Sequence, residues 1–179
     1  MPRLFEKSLA KSFRDTESFP LNLAFSQLFP GFRSYSQSEK KFDLQGSDVR
    51  IQMGDRAIHA DLKFRDTDPR LWREDDLAIE LLSVVELGIR GYGNQRTDYI
   101  IWVFKNSGRV VAVPFAPFKR FYNVNWNYWY FWRAEKPQKT VMKNGYSYNS
   151  IHCYVPFDLV ADMALEVQVE SNRADLLRN

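Results

Sequence analysis

The segment FDLQGSDVRIQMGDRAIHADLKF, residues 42–64, constrains the fold of this chain more than any other stretch. It contains three short extended pieces, broken at Gly46 and again at Gly54 and Asp55. Two such runs joined by a Gly-Asp turn read as a β-hairpin. In the second run Ile58, Ala60, Leu62 and Phe64 alternate with His59, Asp61, Lys63 and Arg65. Period two puts the first set on one face of a strand and the second on the other. Asp61 and Lys63 therefore project side by side, and closing the hairpin brings Asp48 opposite the region of Asp61.

Two acids and a lysine on adjacent strands are what a metal-dependent phosphodiester hydrolase needs. Carboxylates bind Mg²⁺, a hard cation that prefers oxygen ligands, and the ion stabilises charge on phosphoryl oxygens. A neighbouring lysine can orient or deprotonate a water, or neutralise charge that develops in the transition state. The acid-x-Lys string alone is a weak signal, because Glu39, Lys40 and Lys41 repeat it in a polar stretch with no strand pattern. Strand placement and the preceding Asp48 set Asp61, Leu62 and Lys63 apart from that decoy. An amphipathic strand with Asp and Lys as a surface pair, worth little energetically, is an equally good reading of the spacing alone.

Elsewhere the pattern is plainer. Phe5, Leu9 and Phe13 recur every four residues and predict a helix with one apolar face, and LNLAFSQLF between Pro20 and Pro30 predicts a second short helix. RSYSQSEKK (33–41) is polar and Ser-rich and reads as a surface connection. DDLAIELLSVVELGIR (75–90) is ambiguous: Asp76, Glu80, Ser83 and Glu86 recur at helical spacing, which favours a helix, while its apolar run also fits a buried strand. TDYIIWVF (97–104) and RVVAVPF (109–115) predict a second hairpin, turning at Asn106, Ser107 and Gly108. SIHCYV (150–155) predicts the last strand, before a helix opening at Pro156.

Residues 121–132 hold a dense aromatic cluster, in which Trp126, Tyr128, Tyr130 and Trp132 alternate with Asn127, Trp129 and Phe131. The alternation predicts a strand covered on both faces, with one or two rings exposed near a substrate groove. The competing uses are a stacking platform for unpaired bases, with Lys119, Arg120 and Arg133 meeting phosphates, and an interface for a homodimer. Arg65, Arg70, Arg73, Arg90 and Arg96 surround the acidic site in sequence; scattered surface arginines are their default reading. His59 shares the Asp61 face and reads as a solvated or hydrogen-bonded histidine.

Composition bounds these readings. A chain of 179 residues with 45% hydrophobic and 26% charged residues fits one ordered domain. The net charge of +3 names no partner. No apolar run reaches membrane-spanning length and the N-terminal residues lack a signal peptide pattern, so a cytoplasmic protein without membrane contact is expected. Cys153 with His59 and His152 cannot supply a structural zinc site, which leaves oxygen-ligated Mg²⁺ (or Mn²⁺) as the metal this chain best suits.

The order helix, GSDVRI, hairpin, HADLKFR, DDLAIELLS, the Gly-Tyr pair at 91 and 92 and TDYIIWVF resembles the PD-(D/E)XK nuclease superfamily, in particular its small phage and bacterial members. The resemblance covers about residues 43–114 and implies an α/β (α+β) fold, with a restriction-endonuclease-like mixed sheet flanked by helices. It implies Asp48 and Asp61 as metal-binding acids, the carbonyl of Leu62 as a further ligand, Lys63 as the catalytic lysine and Glu80 as a supporting acid. Glu6 would match a helix glutamate used in some members. Ser47 stands where the superfamily name has proline. The activity implied is Mg²⁺-dependent hydrolysis of phosphodiester bonds in nucleic acid, chiefly DNA, in phage or bacterial DNA processing or defence; the residues expected to contact the strand, Arg65, Lys119 and Arg120, are read from their own places beside the acids and the aromatic cluster. The alternative is a nuclease-like fold that binds nucleic acid or protein without catalysis.

Overall fold

The computed structural model describes residues 3–43, 46–72, 74–91 and 95–170, without the side chains of Arg3, Phe5, Ser8, Leu9, Ser12, Phe13, Lys40 and Asp43. The expected apolar stripe of the first helix, Arg73 and the Tyr92 and Gly93 positions lie outside the described residues.

The chain runs β1 (Arg3–Leu4), α1 (Phe5–Ser18), α2 (Leu21–Leu28), β2 (Phe32–Gln37), α3 (Lys40–Asp43), β3 (Val49–Met53) and β4 (Arg56–Arg65). A 3-10 turn at Pro69–Trp72 leads to β5 (Asp76–Val84) and β6 (Ile89–Arg90), then β7 (Tyr99–Phe104) and β8 (Arg109–Pro114). The aromatic stretch forms α4 (Phe115–Val124), α5 (Trp126–Tyr128) and a π-helical turn at Trp129–Arg133. β9 (Gln138–Val141), β10 (Ser147–Pro156), two 3-10 turns and β11 (Leu165–Gln168) complete it.

The strands make two sheets, in the orders β11-β8-β7-β4-β3-β2 and β1-β9-β10-β5-β6. The class is α+β, as expected, and the first sheet is mixed, because β4 and β7 run parallel with Asp61 beside Ile100 and Lys63 beside Trp102. β7 is its central strand, and YIIWVF is apolar throughout because both its faces are covered. Ile101 and Val103 pack with Leu62, Ala60 and the α2 residues Leu21, Ala24, Phe25 and Leu28. Ile100, Trp102 and Phe104 face a second core with Leu77, Ile79 and Leu81 of β5, Ile151, Cys153 and Val155 of β10, and Phe115, Phe118, Tyr122 and Trp129. Helices thus cover one face of the mixed sheet, while the other is covered by the second sheet together with α4, not by helices alone.

Both predicted hairpins form. β3 and β4 pair from Val49↔Ala60 to Met53↔Arg56, with Gly54 at φ +53, a left-handed conformation that only glycine adopts freely. β7 and β8 pair from Tyr99↔Pro114 to Phe104↔Arg109.

Four expectations are corrected. Residues 76–84 are a strand and not a helix: Leu77, Ile79 and Leu81 are buried on one face, while pairing with β10 satisfies the backbone. The polar residues there met helical spacing by coincidence, and tertiary pairing overrode it. The aromatic segment is helical and not a strand. Over the longer window Phe115, Phe118, Tyr122, Trp126 and Trp129 recur at helical spacing and face the core, which the alternation within 126–132 conceals. Residues 33–41 are not simply a connection but contain β2, paired antiparallel with β3, and α3. After Pro156 come short 3-10 turns and β11 on β8, so β10 is not the last strand. Among the described residues no helix is long and apolar enough to cross a membrane.

Candidate active site

Asp48 stands one residue before β3, held by its own backbone: its N–H donates to Ala60 O at 2.9 Å and its carbonyl accepts from Ser38 N–H at 2.9 Å. The turn before it is pinned by Ser47, fully buried, whose hydroxyl meets Ser38 Oγ at 2.9 Å and His59 Nδ1 at 3.2 Å. Ser47 thus fixes the approach to Asp48 by hydrogen bonds. His59 also stacks on Phe42 at 4.4 Å between ring centroids, and is the hydrogen-bonded histidine expected.

The hairpin carries Asp48 onto Asp61. Asp48 Oδ2 accepts from Leu62 N–H at 2.7 Å, and its carboxyl is close enough to that of Asp61 to share a hydrogen bond. Asp61 is buried, and its Oδ2 accepts from Lys63 Nζ at 2.8 Å and from Gln95 Nε2 at 2.5 Å. In a strand the N–H and C=O of one residue point to the same edge. The carbonyl of Leu62 therefore points toward β3 and Asp48, beyond the last register pair Val49↔Ala60.

Burial, and next the charge of Asp61, push the Asp48 carboxyl up to about 7, although Lys63 and the Leu62 amide oppose the rise. Burial acts against the ammonium of Lys63, but Asp61, Asp48 and Glu80 more than offset it and hold the lysine above its ordinary range. Lys63 is thus a cation in this arrangement, a donor and charge neutraliser and not a base. The donor set suits a hard divalent cation: two carboxylates and a main-chain carbonyl, all oxygen. The proton that Asp48 keeps to about pH 7 reflects its burial first and the charge of Asp61 second, and a bound cation would offset both. Among the described residues no group of three or more His, Cys, Asp or Glu gathers as a metal site. Mg²⁺ keeps several waters and needs only one or two carboxylates, so a pair suffices.

Glu80 sits on the face of β5 opposite the core, accepts from Ser83 Oγ at 2.7 Å, and its charge reaches Lys63. It neighbours the cluster without touching the acid pair's hydrogen bonds. Arg65, two residues beyond Lys63 on the same strand face, borders a cavity against the second sheet. Lys119 lies over the Phe115 ring at 5.4 Å and Arg120 is exposed, both on α4, whose buried rings pack against the other face of the second sheet. Glu6 accepts from Lys143 N–H at 3.0 Å, after β9, and is engaged away from the cluster. The arginines do not converge: Arg70 pairs with Asp75 and Glu166, Arg90 stacks on Trp126 at 4.0 Å, and Arg96 is exposed.

Sequence reasoning missed Gln95, which bridges Asp61 and the Gly46 carbonyl, the latter at 3.1 Å. It lies 34 residues from Asp61 with no motif to mark it. No protein-family model, curated protein or solved structure matches the chain.

Proposed function

We propose that this protein is a divalent-metal-dependent nuclease that hydrolyses phosphodiester bonds, with DNA the first substrate to try. The observation that carries the reading is one buried patch in which carboxylates from two successive strand segments meet each other and a lysine, with Asp48 pushed up to about 7. Ionisable groups gathered in a fold's interior are costly and cluster at functional sites. Asp48, Asp61 and the Leu62 carbonyl would hold Mg²⁺ or Mn²⁺, which when bound supplies Lewis acidity toward the phosphoryl oxygens. Lys63, charged and partly exposed, would neutralise charge developing on the phosphate and orient the attacking water. Glu80 would support this through its field at Lys63.

The second reading, a nuclease-like binding module, draws on the bond between Lys63 and Asp61, which already satisfies one acid. Incubating the pure protein with plasmid and single-stranded DNA in Mg²⁺ or Mn²⁺, with EDTA, Asp61→Ala and Lys63→Ala controls, separates the two. Cleavage lost in EDTA and in both variants is expected. Cutting that survives both substitutions sinks the site, and no cutting with either metal favours the binding module.

A further inference from the structure

Beside the acid and lysine cluster, β4 and the second sheet border a half-open cavity of about 190 Å³ lined by Arg65, Ala78, Glu135, Gln138, His152 and Tyr154. It continues the active-site row. Arg65 follows Lys63 by two residues on β4, Ala78 precedes Glu80 by two on β5, and His152 and Tyr154 pair with Glu80 and Ala78 across β10. Two strand residues span about 6.8 Å. A strand held at Lys63 by a phosphate therefore brings the adjoining nucleotide to the cavity mouth.

The lining selects what fits. Glu135 stands in the wall, its carboxylate accepting from Tyr154 Oη–H at 2.7 Å and from Gln138 Nε2 at 3.4 Å, and a carboxylate there repels a second phosphate. A neutral ring with polar edges meets no such penalty. Arg65 offers donors, Glu135 acceptors, and Gln138 Oε1 is a buried acceptor with no hydrogen-bond partner among the described residues. A buried acceptor left unsatisfied is costly, and because the Gln138 amide is held among the described residues by a single bond of 3.4 Å, a turn of that amide toward the cavity would let an amine or ring N–H of a ligand satisfy it.

We propose that this cavity holds one unstacked nucleobase next to the cleaved phosphodiester, so that the substrate is single-stranded or locally unpaired nucleic acid. This rests on the nuclease reading. A base inside a duplex is stacked on both sides and cannot enter a walled cavity without leaving the stack, whereas an unpaired base enters at little cost.

The test is a set of labelled single-stranded DNA 20-mers, each with one abasic residue at a different position, given to the wild-type protein and to Gln138→Leu in Mg²⁺. The wild type is expected to cut at least tenfold more slowly when the abasic residue stands at one fixed offset from the cut. Gln138→Leu is expected to lose that sensitivity. Uniform cutting of every abasic oligonucleotide by the wild type overturns the cavity assignment and leaves the nuclease reading intact. If nothing is cut, the nuclease reading fails, and fluorescence anisotropy on the same oligonucleotides decides the cavity. A fivefold or greater loss of affinity at one abasic position, absent in Gln138→Leu, supports it, and uniform affinity overturns it. Thermal melts check that the variant folds, and Arg65→Gln replaces it if it does not.

Discussion

Two buried ionic clusters sit in this molecule, and they are built on opposite principles. Around Arg109, which is fully buried, every acid has a cation in reach: its guanidinium meets Asp75 at 2.6 Å, Glu166 at 3.2 Å and Asp68 at 3.4 Å, and lies over Phe157 at 4.8 Å and Phe104 at 5.2 Å. Arg70 joins the same carboxylates, and Ser107 and the Arg70 amide take the rest of Asp68. Around Asp61 two acids share one lysine, and one of them, Asp48, is pushed up to about 7, by burial first and by the charge of Asp61 second. A fully satisfied network fixes a structure, whereas a partly satisfied one stores a demand for a ligand or a proton. The first cluster ties the β7 to β8 turn to β11; the second joins residues of the β3 and β4 hairpin, which its own backbone already pairs.

The largest effect expected is on activity. Asp61→Asn and Lys63→Ala should each lower the cleavage rate about 10³-fold, within the range of a lost acid-base or charge-stabilising group. The melting temperature of Asp61→Asn should change little, because the repulsion it lifts from Asp48 is set against the charge pairing that Lys63 loses, and Asp48 can then ionise beside Lys63. A large loss of stability in that variant would make the cluster structural and erase the contrast with Arg109.

Arg109→Leu should do the reverse. It leaves Asp68 buried without its cation, a change that costs about 3–5 kcal/mol where one partner of a buried pair is removed. Urea denaturation measures it, and cleavage by the fraction that remains folded should be nearly unchanged. A destabilisation under about 1 kcal/mol would mean that Arg70 and solvent replace Arg109, so that the network is no keystone.

The hairpins and the acid-x-Lys strand were legible because they depend on local chemistry: a Gly-Asp turn and strict alternation leave little freedom. The covered faces of β7 were legible in an unbroken apolar run. What escaped the sequence depended on partners far along the chain. β5 is a strand because β10 pairs with it, and nothing within residues 76–84 announces that partner. The aromatic helix was misread because a seven-residue window showed alternation where fifteen residues show a 3.6 period. At the candidate site, Asp48, Asp61 and Lys63 come together because the hairpin and its alternation place them, while Gln95 and Ser47 act through hydrogen bonds that carry no spacing signal.

Protonation offers a subtler break between the clusters. Asp48 has a folded pKa near 7, above the ordinary carboxylate value of 3.8, so the folded state holds a proton that the unfolded chain has released. The stability this proton confers is complete below pH about 4 and lost as pH rises through about 7. Stability of the metal-free protein should therefore fall across that window, and Asp48→Asn should flatten the fall. Divalent metal competes with the same proton, so the melting temperature gained from Mg²⁺ should be greater at pH 8 than at pH 5. At a hundredfold excess over Kd the gain is about 2.7 kcal/mol. An equal gain at both pH values would remove Asp48 from the set of ligands.

The smallest effect concerns how Asp61 is aimed. Gly46 has φ +77, and a Cβ there would stand 2.3 Å from Gln95 Cγ and 2.7 Å from Nε2, so any side chain displaces the amide that donates to Asp61. Losing one hydrogen bond to a charged acceptor costs about 1.5–3 kcal/mol, roughly ten- to a hundredfold in rate if the bond acts only on the site, with the low end expected for a bond that Lys63 partly backs up. Gln95→Ala should therefore slow cleavage about tenfold with little change in KM, and Gly46→Ala should do nearly the same. Because both substitutions remove one interaction, the double variant should be no slower than either single one. Multiplying rates in the double variant would show that the glycine serves the turn itself, and that Asp61 is held by Lys63 and Asp48 without help from Gln95.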